Sequence, residues 1–521
     1  MTATPTATVP GAPPRVCVIG AGISGLVAAK VLGGDGFDVV VFEKEPTLGG
    51  VWAASRTYPG LRTNNPRDTY AFSDHPFPPT VADFPSAAEM RAYLESYAER
   101  FGLLARIRVG TEVVKVAQSG ARWCVTVRAT GSEEVLDFDF VVVCNGVFST
   151  PRIPAVDGME RFAGRIAHST SLTDPDLVKD KRVLVVGGGK SALDCAAWAA
   201  AAGRSCTLLF RRAYWMWPRY LGGVVNVQWL MFSRLTAKAL RYHRLGRTDA
   251  WLHGAGAPLV QLAWAAVTRL LRATAGISGP LVPEAPLPRN IESIGIGTEA
   301  YALVRSGRIR IKKSVIRRFR GGNAIELADG ETVDADVVIF ATGFTQAVPF
   351  LEDSVRREVE REDGFQLYRF ILPPAVPRLG FIGYNSSTAC QLTSEVAAHW
   401  LSDRFLGRLR LPDVDEMDRE IDRVRHWAAD VMPTRSRGFF VGPWVIPHLD
   451  ELMRDMGLPV VRRGNFLAEN LLPVWPTRYR TLAEDRRRAR EAPKRRANFY
   501  LSAPRAAAAV LILALVLWTL R

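Results

Sequence analysis

Two stretches of this chain have the residue types and spacing to hold a dinucleotide. In Gly20-Ala-Gly22-Ile-Ser-Gly25 the first glycine lets a strand turn, the second lets backbone approach a pyrophosphate, and the third lets a helix pack on the strand. The spacing returns in Gly187-Gly-Gly189-Lys-Ser-Ala192, with alanine in the last place. Glu43 stands 18 residues past Gly25, where a carboxylate can accept from both ribose hydroxyls of an adenosine. The corresponding place in the second repeat is Arg211-Arg212. A carboxylate would repel a 2′-phosphate, whereas a guanidinium binds one bidentately, so the second site is read as one for NADPH.

These groups work only if strands and helices present them. Residues 15–19 and 38–42 are β-branched runs of the kind a buried parallel strand needs, and the helix between them carries Ala28 and Ala29. Residues 182–186, 193–202 and 206–210 repeat that strand, helix and strand. Between the two units lie a predicted helix over 87–101, a hairpin-like pair at 109–116 and 123–129, and a buried strand at 138–144. Beyond them, 333–343 and 379–384 read as further strands, and 393–403 as a helix whose N-terminus offers N–H groups to a ring edge. Gly49-Gly50-Val-Trp52 is an apolar, aromatic-capped turn that suits a flat ring system better than a second sugar.

The fold class expected is α/β with two Rossmann-like dinucleotide-binding domains, the second inserted in the first, plus a helical insert. The expected division is a disordered lead at 1–14, the first domain at 15–155 and 332–445, and the second at 156–331 with the insert at 219–290. A basic region at 446–505 and a hydrophobic tail at 506–520 follow. Within the insert, 224–245 is basic and amphipathic and 258–275 is apolar but interrupted by arginines. Neither reaches the ~20 apolar residues of a spanning helix.

The chain has 521 residues, enough for several domains, and its formal net charge is +15. Ten basic residues against three acidic ones between Arg478 and Arg505 place much of that charge just before the tail, which argues against a nucleic-acid partner. The tail, AAAAVLILALVLWTL, is 15 uncharged residues; as a helix it would be ~22 Å long, short of a ~30 Å hydrocarbon core. Insertion into a thinned bilayer and packing as a buried helix are both open to it, and its basic approach favours membrane attachment with the body on the cytoplasmic side. The six cysteines include no CxxC pair, which removes a redox dithiol. No His, Cys or acid stands at ligand spacing from His168, so it reads as a hydrogen-bonding residue and no metal is expected. Residues 58–68 are polar and non-periodic, a loop by composition.

Two nucleotide folds, the first split around the second, with a covering insert and a hydrophobic tail, resemble the flavin-containing monooxygenases. Phe162, Gly164 and His168 match that family's FxGxxxHxxx(aromatic) motif, with Leu172 where the family has an aromatic residue. Phe340-Ala341-Thr342-Gly343-Phe344 resembles its ATG(F/Y) signature, and Lys190 stands where the family more often has Asn. Arg62-Thr-Asn64-Asn-Pro-Arg67-Asp, followed by Ser73-Asp74, resembles the segment with the active-site asparagine; this makes Asn64 the expected catalytic residue and Asn65 the next choice. The resemblance implies FAD on Gly20, Gly22, Gly25, Glu43, Gly50, Trp52, Thr342 and Gly343, and NADPH on Gly187, Gly189, Ser191, Arg211 and Arg212. It further implies oxygenation of a small amine or sulfide by O2 through a C4a-hydroperoxyflavin. Ketone oxygenation of the Baeyer-Villiger type, and a non-catalytic membrane-attached flavoprotein, remain the alternatives.

Overall fold

A computed structural model describes residues 11–289, 291, 295–362, 364–385, 388–432 and 442–491. The tail at 506–520 and most of the lead at 1–14 lie outside the described residues.

Two five-stranded sheets, parallel throughout, organise the molecule. The first runs Leu379–Phe381, Phe140–Val143, Arg15–Ile19, Asp38–Phe42 and Ile107–Arg108. The second runs Arg165–His168, Val337–Phe340, Arg182–Val186, Ser205–Phe210 and Ile309–Lys313. In each, the strand feeding the glycine turn is central. The central strands are short, β-branched and buried on both faces, as parallel strands covered by helices must be. The Ile23–Gly34 and Lys190–Ala202 helices begin at Gly22 and Gly189 without a side-chain cap, so their first N–H groups stay available.

The strand Val337–Phe340, which a boundary at 332 assigns to the returning half of the first domain, is hydrogen-bonded in the second sheet. The chain returns to the first sheet only at Leu379–Phe381. Asp336 explains the placement: its carboxylate accepts from the Arg182 backbone N–H at 2.8 Å and from the Arg182 guanidinium. Between the sheets, Thr150–Pro151 and Phe344–Thr345 pair antiparallel as the crossing connections. The expected hairpin is a three-stranded antiparallel sheet, Glu112–Ser119, Arg122–Ala129 and Ser132–Phe138.

The insert is only partly helical as expected. Residues 257–275 form one helix, started by Pro258 in its first turn. The run 224–245 does not. Gly222 and Gly223 adopt positive φ and turn a short hairpin, Tyr220–Leu221 with Val225–Asn226. The Asn226 side chain then accepts from the Gln228 N–H at the start of one short helix, Gln228–Met231, and Ser233 caps a second, Arg234–Lys238. Local side-chain bonds thus divide what periodicity reads as one helix. The insert packs into one continuous core with the second sheet and with Trp427 and Trp444, whose indoles both donate to the Arg241 carbonyl at 3.0 Å.

Candidate active site

At the carboxyl edge of the first sheet the Gly20 N–H donates to the Phe42 carbonyl at 2.8 Å, closing the turn directly over the neighbouring strand. A Cβ on Gly25 would fall inside the Gly20 carbonyl oxygen, so the helix approaches this turn as closely as backbone allows. Gly22 faces Gly50, whose Cα lies 3.4 Å from where a Gly22 Cβ would be. Glu43 is buried, and its carboxylate accepts from the Ala21 and Glu45 N–H groups at 2.7 and 3.0 Å. Trp52 is buried, meets Tyr70 edge-on at 6.2 Å, and leaves its indole N–H without a partner.

The loop that composition alone left as an ordinary loop is fastened to this edge. The chain continues from it through a single tight turn, Arg67–Thr69, to Asp74, and within this longer 58–74 loop Ser73 donates through both N–H and hydroxyl to Glu395, at 2.9 and 2.7 Å. Glu395 belongs to the Cys390–Phe405 helix and is fully buried. Burial pushes its carboxyl up, against the opposing pull of Lys30 and the Ser73 bonds. Near the start of that helix the Cys390 thiol donates to the Tyr70 hydroxyl, and the Ser394 hydroxyl lies 3.0 Å from that of Ser24. Four segments therefore converge on one place: the first glycine turn, the Gly50–Trp52 turn, the 58–74 loop and the start of the Cys390–Phe405 helix. Asn64 is exposed on the loop, whereas Asn65 is fully buried with neither amide atom hydrogen-bonded. A glycine cradle, an acid beside it and two orphaned buried polar side chains fit a dinucleotide with a flat ring system.

The second sheet repeats the edge with different chemistry. The Gly187 N–H donates to the Leu209 carbonyl at 2.8 Å, while Gly189 has nothing within 4 Å of where its Cβ would point. Arg211 and Arg212 are both exposed at the end of Ser205–Phe210, as a phosphate-binding pair must be. Ser191 lies 3.5 Å from the Tyr58 hydroxyl, which donates to Asp194 at 2.9 Å. Asp194 also pairs with Lys190; burial lowers the Lys190 pKa, and Asp194 opposes that shift. Tyr58 comes from the loop beside the first sheet, so this bond ties the edges of the two sheets together.

Thr342 and Gly343 lie at the crossing between the sheets. The Thr342 hydroxyl donates to the Arg152 carbonyl, and the His168 Nε2 lies 3.1 Å from the Gly343 carbonyl oxygen. His168 is thus the hydrogen-bonding residue expected, holding the crossing turn. Its ring is biased to the neutral form first by burial, against the bond to Gly343. Leu172 is a core residue, 1% exposed.

Sequence reasoning missed Glu395, Tyr58 and Asp194. An acid inside the apolar run of the 390–405 helix was a usable signal for Glu395. Tyr58 and Asp194 carried none, because their pairing spans two domains.

The family model for flavin-binding monooxygenase-like proteins matches residues 13–248 and 293–458. The Arabidopsis thaliana protein "Probable flavin-containing monooxygenase 1" is 31% identical, over 91% of this chain and 97% of its own length. Flavin-containing monooxygenase 1 of Oryctolagus cuniculus is 28% identical, over 78% of this chain and 77% of its own. Among solved structures, S-allyl-L-cysteine S-oxygenase from Allium sativum superposes over 98% of this chain and 99% of its own, with a TM-score of 0.59 at 20% identity, a likeness of fold.

Proposed function

The chain belongs to the flavin-binding monooxygenase-like family, and from that premise we propose that it places one oxygen atom of O2 on a soft nucleophile, an amine nitrogen or a sulfide sulfur. It is a flavin-dependent NADPH monooxygenase, and FAD and NADPH are its cofactors. In the proposed reaction NADPH, a proton, O2 and the nucleophile become NADP+, water and the oxygenated product.

We assign FAD to Gly20, Gly22, Gly25, Glu43, Gly50 and Trp52, with Thr342 and Gly343 at the domain crossing. NADPH goes to Gly187, Gly189, Ser191, Arg211 and Arg212. Bound flavin supplies the chemistry for which no side chain here is suited, accepting a hydride and activating O2. The chain's own residues bind, orient and exclude water. Glu43 fixes the adenosine end, and Trp52 walls the ring end. Asn64 offers an amide to the reacting oxygen, with Asn65 buried beside it as the alternative donor. The Ser73–Glu395 bonds keep that loop in place, and the Tyr58–Asp194 bond keeps the nicotinamide edge facing it. The observation that carries this reading is the convergence of the four segments on the first glycine turn.

We further propose that residues 506–520 attach the protein to a membrane, with the body on the cytoplasmic side. Among the described residues no helix is long and apolar enough to cross one.

The test is NADPH oxidation by the FAD-loaded protein, offered a thioether and a ketone together. Sulfoxide formed in step with NADPH consumed is the expected result. Ester as the sole product would reassign the chain to ketone oxygenation. Bound FAD with no NADPH consumption for any nucleophile would make it a non-catalytic flavoprotein.

A further inference from the structure

The basic stretch at 446–505 is not separate from the first nucleotide unit. Its last described helix, Leu482–Glu491, joins that unit's core, where Leu482 is buried with the Ile23–Gly34 and Cys390–Phe405 helices and Ala489 packs against them. From this helix Arg486 reaches inward, its side chain 1% exposed. The guanidinium forks onto Asp403, with Nε at 3.0 Å from one carboxylate oxygen and Nη2 at 2.7 Å from the other. Its Nη1 donates to Asp35 at 2.8 Å and to the His399 Nδ1 at 2.7 Å. Burial, and then the charges of Arg486 and Lys30, push the His399 ring toward its neutral form, which leaves Nδ1 free to accept.

These partners stand at one end of two parallel helices. Ser24, in the first turn of one, lies 3.0 Å from Ser394, near the start of the other. At the far end the Ser402 hydroxyl donates to Asp35, the residue that closes the Ile23–Gly34 helix. Both helices begin without a side-chain cap, beside the first glycine turn, and the first carries its C-terminus about 18 Å away from it. Parallel helix dipoles lying side by side repel, and the Asp35 and Asp403 carboxylates add negative charge where both C-termini are already negative. Arg486 is placed at that point. Its charge offsets the carboxylates and the carbonyl ends, and its planar fork fixes the spacing of the two helices. Arg490 also reaches Asp403, at 3.0 Å, but it is Arg486 that bridges both helices. A helix moves as a rigid rod, so a slip at the clamped end is carried to the uncapped N–H groups at the other.

We propose that Arg486 is a positioning residue for the flavin: it clamps the far ends of the two helices whose near ends meet at the first glycine turn, so that the Leu482–Glu491 helix is a working part of the flavin unit. The proposal rests on the assignment of FAD to that turn.

Flavin fluorescence on dilution of the FAD-loaded full chain gives the affinity, and circular dichroism of the same protein gives Tm. Arg486→Met should weaken FAD affinity about 10-fold or more, and Arg486→Lys, which keeps the charge without the fork, by less. Asp35→Asn removes only the charge on the first helix and leaves the Asp403 fork in place, so it keeps the test open if Arg486→Met does not fold. It should weaken FAD about 5-fold. The control is Arg234→Met, which breaks a buried fork onto Asp450, at 2.7 and 3.0 Å, that bonds neither helix. It should lower Tm at unchanged FAD affinity. Unchanged affinity in Asp35→Asn and in both Arg486 variants, or an equal loss in Arg234→Met, would overturn the clamp while leaving FAD on the first unit. Flavin lost from Arg211→Ala with Arg212→Ala but retained by Gly25→Ala would move FAD to the second unit, and would overturn the assignment and the proposal together.

Discussion

The two nucleotide units are built on one plan and differ where the plan meets its ligand. In both, the central strand feeds a glycine turn whose first N–H reaches the neighbouring strand at 2.8 Å. In both, an aspartate opening the next strand accepts from the first N–H of the central strand at 2.8 Å, Asp139 from Arg15 and Asp336 from Arg182. The first unit then closes. Gly25 leaves no room for a side chain, Gly50 presses on Gly22, and Glu43 is buried. The second stays open, with Ala192 in place of the third glycine, free space over Gly189 and two exposed arginines. A closed cradle suits a group that is retained, and an open basic edge suits one that must exchange every turnover.

The largest effect separating the units should come from Gly25→Ala. The added methyl falls inside the Gly20 carbonyl oxygen, so the purified variant should carry essentially no flavin or fail to fold. Ala192→Gly, the reverse change at the matching place, should keep full flavin content and cost about 1 kcal/mol of stability. Stoichiometric flavin in Gly25→Ala would break the comparison. A second pair sharpens it: Arg211→Ala with Arg212→Ala should weaken NADPH binding about 10- to 100-fold at unchanged flavin content and little altered NADH binding. Glu43→Gln should do the converse, weakening FAD about 10-fold while titration with NADPH stays unchanged.

Smaller effects test what holds the closed unit to its loop. Glu395→Gln keeps shape but weakens the acceptor for the two Ser73 bonds, so hydrogen peroxide released per NADPH should rise by up to about 10-fold at constant flavin content. Unchanged coupling would remove the loop from the mechanism. The smallest effect concerns the open unit. The Arg182 guanidinium and backbone N–H hold the Asp336 carboxyl down to about 2 from 3.8. A depressed carboxyl stabilises the fold fully above its unfolded value, and that share is lost as pH falls from about 4 to about 2. Asp336 is 25% exposed, so screening reduces the contribution to about 1–2 kcal/mol. Asp336→Asn should therefore lower Tm at pH 7 and make the melting curve less acid-sensitive across that window.

Much of this plan is written locally. The β-branched strands, the glycine spacing, Glu43 and the arginine pair depend on neighbours within about 30 residues, and each is legible because backbone sterics and charge act at short range. Local composition misled where side chains divide a periodic run, as Asn226 and Ser233 do in the insert. It also misled at 332, where a strand that reads as a return to the first sheet joins the second.

By itself the sequence determined the number of nucleotide units, the charge each presents and the family to which they belong. Tertiary structure alone decided how the 58–74 loop is fastened beside the first glycine turn. Ser73 reaches Glu395 across 322 residues and Tyr58 reaches Asp194 across 136, bonds that form only once both sheets are folded. It also decided which asparagine is buried, since burial belongs to the packed chain and not to either residue. Such contacts have no local signal because their partners are chosen by the fold.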